Sequence, residues 1–377
     1  MPVGLAELAR EAERRAEPTA AAYVFGGAGT EDTMRANEEA FRRWRIVPRM
    51  LRDVSSRDLS TTVLGTEMPA PVALAPVGSQ TIIHPDGELA VARAAAAVGL
   101  PMALSTVSST PLEEVAAAGD GPKWLQLYWP TNRELGASLL SRAEQAGYQA
   151  VLLTVDTFLP GWKPRDLQMA YQPYLHGIGI ANYTSDPVFR GLLTQPPEED
   201  MQAVVGQFLV QFSNPGLSWA ELEFVRSHTA LPIALKGILH PDDARMAREH
   251  GIDAVLVSNH GGRQVDGAIA TLDALPAVVE AVDGRIPVHL DSGVRGGADI
   301  FKALALGARA VLIGRPYAYA LAIAGRTGVR DLLLNLAADF DLTMGLAGCR
   351  SVSEIGREAV VPAGAVTLSP DGLSAEP

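Results

Sequence analysis

The apolar residues of this chain fall into short continuous runs, not alternating ones. Eight runs are bounded by turn residues: Val72–Val77, Pro101–Ser105, Trp124–Tyr128, Ala150–Asp156, Pro232–Lys236, Ala254–Asn259, Pro287–Asp291 and Ala310–Gly314. Strands that read as continuously apolar are buried on both faces, the condition of a parallel sheet covered by helices. Between the runs the spacing turns helical. Leu135, Leu139, Ala143 and Ala146 share one face of a helix expected over 132–146, with Thr131-Asn-Arg-Glu134 as its capping box. Pro241 opens another helix expected to reach His250. A Gly-x-x-Ala-Val-Leu pattern recurs at Gly147, Gly251 and Gly307, as expected of a helix ending on a C′ glycine before a buried strand. Eight such strands alternating with helices predict an α/β fold, a single (β/α)8 TIM barrel domain over 1–377. Residues 157–231, between strands four and five, are rich in Tyr, Pro and Gln and are expected to form a lid insertion. Residues 362–377 read as a loose tail.

In such a barrel the catalytic groups project from the C-terminal strand ends. The polar residues closing the runs are Ser105, Gln126 with Tyr128, Thr154 with Asp156, Lys236, Ser258 with His260, Asp291 and Arg315. Any strand end needs polar caps, but a whole rim of such residues exceeds that need. A buried lysine closing Ile233-Ala-Leu-Lys236 requires an anionic or electron-rich partner, which a cofactor would supply. Ser258-Asn-His-Gly-Gly-Arg-Gln264 sets a base and a cation three residues apart, separated by two glycines that permit close approach to a flat ligand. Asp156 and His260 share one rim, where a carboxylate can orient an imidazole and stabilise its protonated form. Asp291-Ser-Gly-Val-Arg-Gly-Gly297 and Gly314-Arg315-Pro316 lie where many barrels hold a phosphate.

Composition narrows the partners. A net charge of −12 is a poor match to nucleic acid or an anionic membrane surface, so small molecules are expected instead. The single cysteine, Cys349, reads as a buried spectator and suits a reducing cytoplasm. Residues 1–18 mix acids with arginines, so no export signal is expected, and the longest apolar stretch, 89–104, is too short for a membrane span. The histidines lack metal-ligand spacing, and neither a Gly-x-Ser-x-Gly elbow nor a dinucleotide glycine motif follows a strand, so a metal role, a serine hydrolase and a Rossmann domain are not expected.

On the 258–264 segment, with Leu235-Lys-Gly237, Asp291-Ser-Gly-Val-Arg295 and Gly314-Arg-Pro316, the chain resembles the FMN-dependent 2-hydroxy-acid oxidase and dehydrogenase family. The likeness runs over about 23–348. It implies that FMN is the cofactor and that His260, paired with Asp156, takes the proton of the substrate 2-hydroxyl. Arg263 would clamp the carboxylate, and Tyr23 and Tyr128 would hydrogen-bond substrate. Lys236 would stabilise negative charge on reduced flavin. Ser105, Gln126, Thr154 and Ser258 would fix the flavin ring, with Ala75, Pro76, Val77 and Gly78 along its other face. Asp291, Gly293, Arg295, Gly314 and Arg315 would hold ribityl and phosphate. The stretches 156–166 and 180–189, and Gly78 where family oxidases tend to carry alanine, look most like the lactate 2-monooxygenase branch. The implied reaction is oxidation of a small L-2-hydroxy acid, L-lactate first, by oxygen with decarboxylation to acetate, carbon dioxide and water. The alternative is an oxidase releasing the 2-oxo acid and hydrogen peroxide. Lys163 stands where the family usually has a second carboxylate-binding arginine, with Arg165 nearby, and Val107 where glycolate oxidase has a bulky tryptophan. Family likeness also implies a homotetramer or larger assembly.

Overall fold

Each of the eight apolar runs forms a strand, because only backbone pairing satisfies the amide groups of a segment with both faces buried. The computed structural model describes residues 1–364 and, beyond them, the backbone of two short paired strands, Thr367–Ser369 and Gly372–Ser374. The barrel strands are β1 (Val72–Leu74), β2 (Met102–Ser105), β3 (Lys123–Tyr128), β4 (Ala150–Thr154), β5 (Ile233–Ile238), β6 (Ala254–Val257), β7 (Val288–Leu290) and β8 (Val311–Ile313). They pair in parallel in chain order, and β8 closes the barrel on β1, with Val311, Leu312 and Ile313 facing Val72, Ala73 and Leu74. Several strands stop short of the expected ends. The residues beyond, such as Pro76 and Val77, leave the ladder to line the mouth of the barrel.

Inside the barrel, Ala73, Ala103, Trp124, Ala150, Leu152, Ala234, Ala254, Leu256, Ala310 and Leu312 pack together with Val63, Leu64 and Met68. The last three come from the hairpin Thr61–Val63/Thr66–Met68, so it is packed into the barrel's inner core. So many alanines leave room for Trp124, whose indole N–H donates to Thr66 Oγ1 at 2.9 Å. The outer layer is helical, and the three repeat glycines adopt φ of 81°, 69° and 104° at Gly147, Gly251 and Gly307, the left-handed helix ends the repeat predicts.

Two expectations, the capping box and the start of the tail, need correction. The helix Arg133–Gln145 is capped by Asn132, whose side chain accepts from Glu134 and Leu135 N–H. Thr131 is one residue too early and donates instead to the carbonyls of Val210 and Ser213. Segment 157–231 carries five α-helices and one 3-10 turn among the described residues, and its last helix, Glu221–Ser227, buries Leu222 and Val225 in the main core. In the expected tail, Pro362 belongs to a strand, pairing with Trp44. Residues 365–366, 370–371 and 375–377 of that tail lie outside the described residues. No helix among the described residues is long and apolar enough to cross a membrane.

Candidate active site

The strand ends build a floor. Ser105 Oγ donates to Gln126 Oε1 at 3.0 Å, and Gln126 Nε2 donates to Thr154 Oγ1 at 3.0 Å, a relay across β2, β3 and β4. Register sets the first bond, since Ser105 faces Gln126, whereas the second runs diagonally, because Gln126 faces Leu152 and Thr154 faces Tyr128. Lys236 is 3% exposed and donates to Ser258 Oγ at 3.0 Å, with Asp291 Oδ2 at 3.5 Å and Asp156 Oδ2 at 3.8 Å. Burial opposes its charge, but the Asp291 and Asp156 carboxylates raise its pKa, so it stays protonated.

His260 stands above this floor. Its Nδ1 lies 2.8 Å from Asp156 Oδ1 and 3.0 Å from Thr157 Oγ1, while Thr157 Oγ1 donates to the same carboxylate oxygen at 2.9 Å. This network assigns the proton to Nδ1 and leaves the Nε2 lone pair toward the cleft, where the Tyr128 hydroxyl is 3.3 Å away. Burial pulls the His260 pKa down against the pull of Asp156, so the free imidazole is neutral and ready to accept a proton. Burial alone would raise Asp156, but His260 and Lys236 hold it down to about 2. Burial pushes Tyr128 up, so its hydroxyl remains a donor.

The loop after β6 is bent sharply. His260, Gly261 and Gly262 take φ of 58°, 67° and 73°. A side chain on Gly261 would come within 2.8 Å of Arg315 Nη1, and one on Gly262 within 2.6 Å of the Met34 amide. The left-handed histidine is costly, and hydrogen bonds hold it: its amide donates to Ser258 Oγ at 3.1 Å and that of Gly261 to Ser292 Oγ at 2.9 Å.

Arg263 donates to Gly26 O at 2.7 Å and lies over the Tyr23 ring at 5.5 Å. Lys163 lines the same cleft, with a hydrogen bond to Gly161 O at 3.3 Å. Burial, reinforced by the charge of Arg263, lowers its pKa to about 8 despite Asp166. Arg165 does not substitute for it, because it pairs with Glu31 at 2.7 Å and Glu13 at 3.4 Å and is absent from the cleft wall.

The cleft opens at the mouth of the barrel. Its wall contains Tyr23, Ala75–Gly78, Ser105, Tyr128, Lys163, Lys236, His260, Arg263, Asp291, Gly293, Arg295, Gly314 and Arg315, all expected from sequence. Gln126, Thr154, Ser258 and Asp156 are not on that wall; Gln126, Ser258 and Asp156 bond residues that are, and Thr154 bonds Gln126. Sequence reading missed Thr157, Pro160, Gln172, Tyr174 and Phe212, which line the cleft from the insertion. Only the aromatic content of that segment hinted at them.

A flavin nucleotide fits what is present. The buried Lys236 ammonium and the Ser105–Gln126–Thr154 relay offer donors to a polar ring edge. At the β8 end, Gly314 precedes the helix from Arg315 with no side-chain cap, leaving first-turn amides for a phosphate. The arginines are partly committed: Arg315 donates to Phe25, Gly26 and Gly261 carbonyls, and Arg295 pairs with Glu38 at 2.9 Å. Burial lowers the Arg315 pKa to about 10, an environment that favours an anionic neighbour.

Comparison with known proteins agrees with this geometry. A family profile described as FMN-dependent dehydrogenase matches residues 12–362. The chain is 44% identical over 352 residues to an L-lactate oxidase of Lysinibacillus sphaericus, covering 93% of this chain and 90% of that one. It is 42% identical over 343 residues to human 2-hydroxyacid oxidase 1, covering 90% of each. A crystal structure of mandelate oxidase with (S)-4-hydroxymandelic acid superposes with a TM-score of 0.86 at 41% identity, covering 96% of this chain and 99% of that one. The barrel, the base above a buried lysine and these likenesses agree: this chain belongs to the FMN-dependent dehydrogenase family and is an FMN-dependent 2-hydroxy-acid oxidoreductase.

Proposed function

We propose that the enzyme oxidises a small L-2-hydroxy acid, L-lactate first among them, to its 2-oxo acid with oxygen as the final electron acceptor. The observation that carries this reading is the convergence of a neutral His260 Nε2 with two cationic side chains, Arg263 and Lys163, in one cleft above Lys236. The cations would bind the carboxylate and turn the 2-hydroxyl toward Nε2. His260 would take the hydroxyl proton, and Asp156, through Nδ1, would stabilise the imidazolium that forms. Tyr128 and Tyr23 would donate to substrate oxygens. FMN, when bound, would accept the two electrons leaving the substrate carbon, and Lys236 would offset the negative charge that develops there.

The decarboxylating reaction is the second reading, supported by the stretches 156–166 and 180–189 and by Gly78. Gly78 supports it less than the sequence suggested, because a methyl group there would lie 2.5 Å from Val107 Cγ2 and 2.7 Å from its carbonyl oxygen. Glycine is required by the packing of these two loops whatever the fate of the product. Incubation with L-lactate and oxygen separates the readings: stoichiometric pyruvate and peroxide support the oxidase, whereas acetate and carbon dioxide without peroxide would replace it by the monooxygenase. The thiol of Cys349 is buried and unpaired, which fits the proposed cytoplasmic location, and the proposal includes a homo-oligomer.

A further inference from the structure

Glu88 opens the helix Gly87–Ala97 and is fully buried, yet no step of the proposed reaction uses it. Its Oε1 accepts from the Gln80 amide and the Ser109 amide, each at 3.0 Å. These donors belong to two loops, 75–80 after β1 and 106–109 after β2, and the same loops place Ala75, Pro76, Val77, Gly78 and Val107 on the cleft wall. Two more bonds join the loops, from Ser79 N to Val107 O at 2.8 Å and from Thr81 Oγ1 to Ser109 Oγ at 2.8 Å. Gln80 in turn donates to Val77 O at 2.8 Å, and Tyr317 donates to Ala75 O at 2.8 Å. Among the described residues no Lys, Arg or His lies within ion-pair distance of Glu88. Its Oε2 and the Gln80 Oε1 are both buried without a partner.

We propose that Glu88 is a positioning residue, held as a neutral carboxylic acid, that locks the β1 and β2 loops together and so sets the wall against which FMN lies. An ionised carboxylate enclosed without a cation would be expensive, whereas the neutral acid keeps both amide bonds and gains a donor at Oε2. Burial drives its pKa upward in the same sense. The role concerns the cofactor, so it stands whichever acid is the substrate.

The neutral acid and an amide have the same shape, which makes Glu88→Gln the discriminating variant. E88Q should keep its FMN dissociation constant and flavin absorption spectrum close to wild type. E88A, which strands the Gln80 and Ser109 amides, should weaken FMN binding by roughly tenfold or more and shift the spectrum. Wild-type holoenzyme should also show the infrared carbonyl band of a protonated carboxyl, lost in E88Q. That band decides the matter even if E88A fails to fold. Absence of the band from wild type, FMN binding in E88Q as weak as in E88A, or wild-type FMN binding in E88A would each overturn the proposal.

Discussion

The floor and the roof of the cleft are built differently. The floor residues Ser105, Gln126, Thr154, Lys236 and Ser258 lie in the C-terminal halves of their strands or just beyond, are all buried, and bond across strands in two groups, Ser105–Gln126–Thr154 and Lys236–Ser258. The roof comes from 157–231, where Lys163 has one long hydrogen bond and Phe158, Leu159 and Trp162 are 47%, 53% and 72% exposed. A saturated network on rigid strands suits groups that must meet a cofactor in one geometry. A cleft-facing cation held by one long bond, on a segment with exposed apolar residues, suits choice among acids. On the proposed function, the floor would fix electron transfer and the roof would set selectivity.

Loss of the base that stands on the floor should cost most. Replacing His260 by Ala should slow anaerobic bleaching of the flavin by L-lactate by about 10²–10⁴-fold, the usual worth of a positioned base, while FMN stays bound. Bleaching at the wild-type rate would remove the base from its proposed role. Where the two loops meet, Gly78→Ala forces a methyl group against Val107 and should destabilise the holoenzyme by about 1–3 kcal/mol, the cost of overpacking. The double variant with Val107→Ala should recover only part of the loss, because the Val107 carbonyl remains in the way. Unchanged thermal denaturation of G78A would show that the loops part freely.

The roof prediction is the smallest. Lys163 loses its proton as pH rises through about 8, so KM for the acid anion should climb above that pH while kcat changes little. Lys163→Arg should abolish the climb and leave KM near neutral pH within a few-fold. A KM profile in the wild type that is flat to pH 9–10 would exclude Lys163 as a carboxylate ligand.

Legibility in the sequence followed the same division. The floor was readable because barrel strands are continuous apolar runs whose closing polar residue can face only the mouth. The repeat glycines and the 258–264 motif added backbone conformation and chemistry. Apart from Lys163 the roof was not read: Tyr174 reaches the cleft from the short turn Pro173–His176 and Phe212 from the end of the helix Met201–Phe212, and nothing in the sequence says how either element is set over the barrel mouth. Thr157 was hidden by its neighbour, since nothing in Asp156-Thr157 says that the hydroxyl shares the histidine nitrogen. Arg165 could be excluded as a second clamp only once its pairing with Glu31 and Glu13 was seen.

Arg263 and Arg315 together give three N–H groups to the carbonyls of Phe25 and Gly26. The stretch carrying Tyr23 is thus held at the cleft by the guanidinium groups beside it, much as a tethered peptide inhibitor would be. A protease cut after Gly27 would turn that stretch into a diffusible peptide, and a synthetic copy of residues 18–27 would become a natural candidate to restore the clipped enzyme.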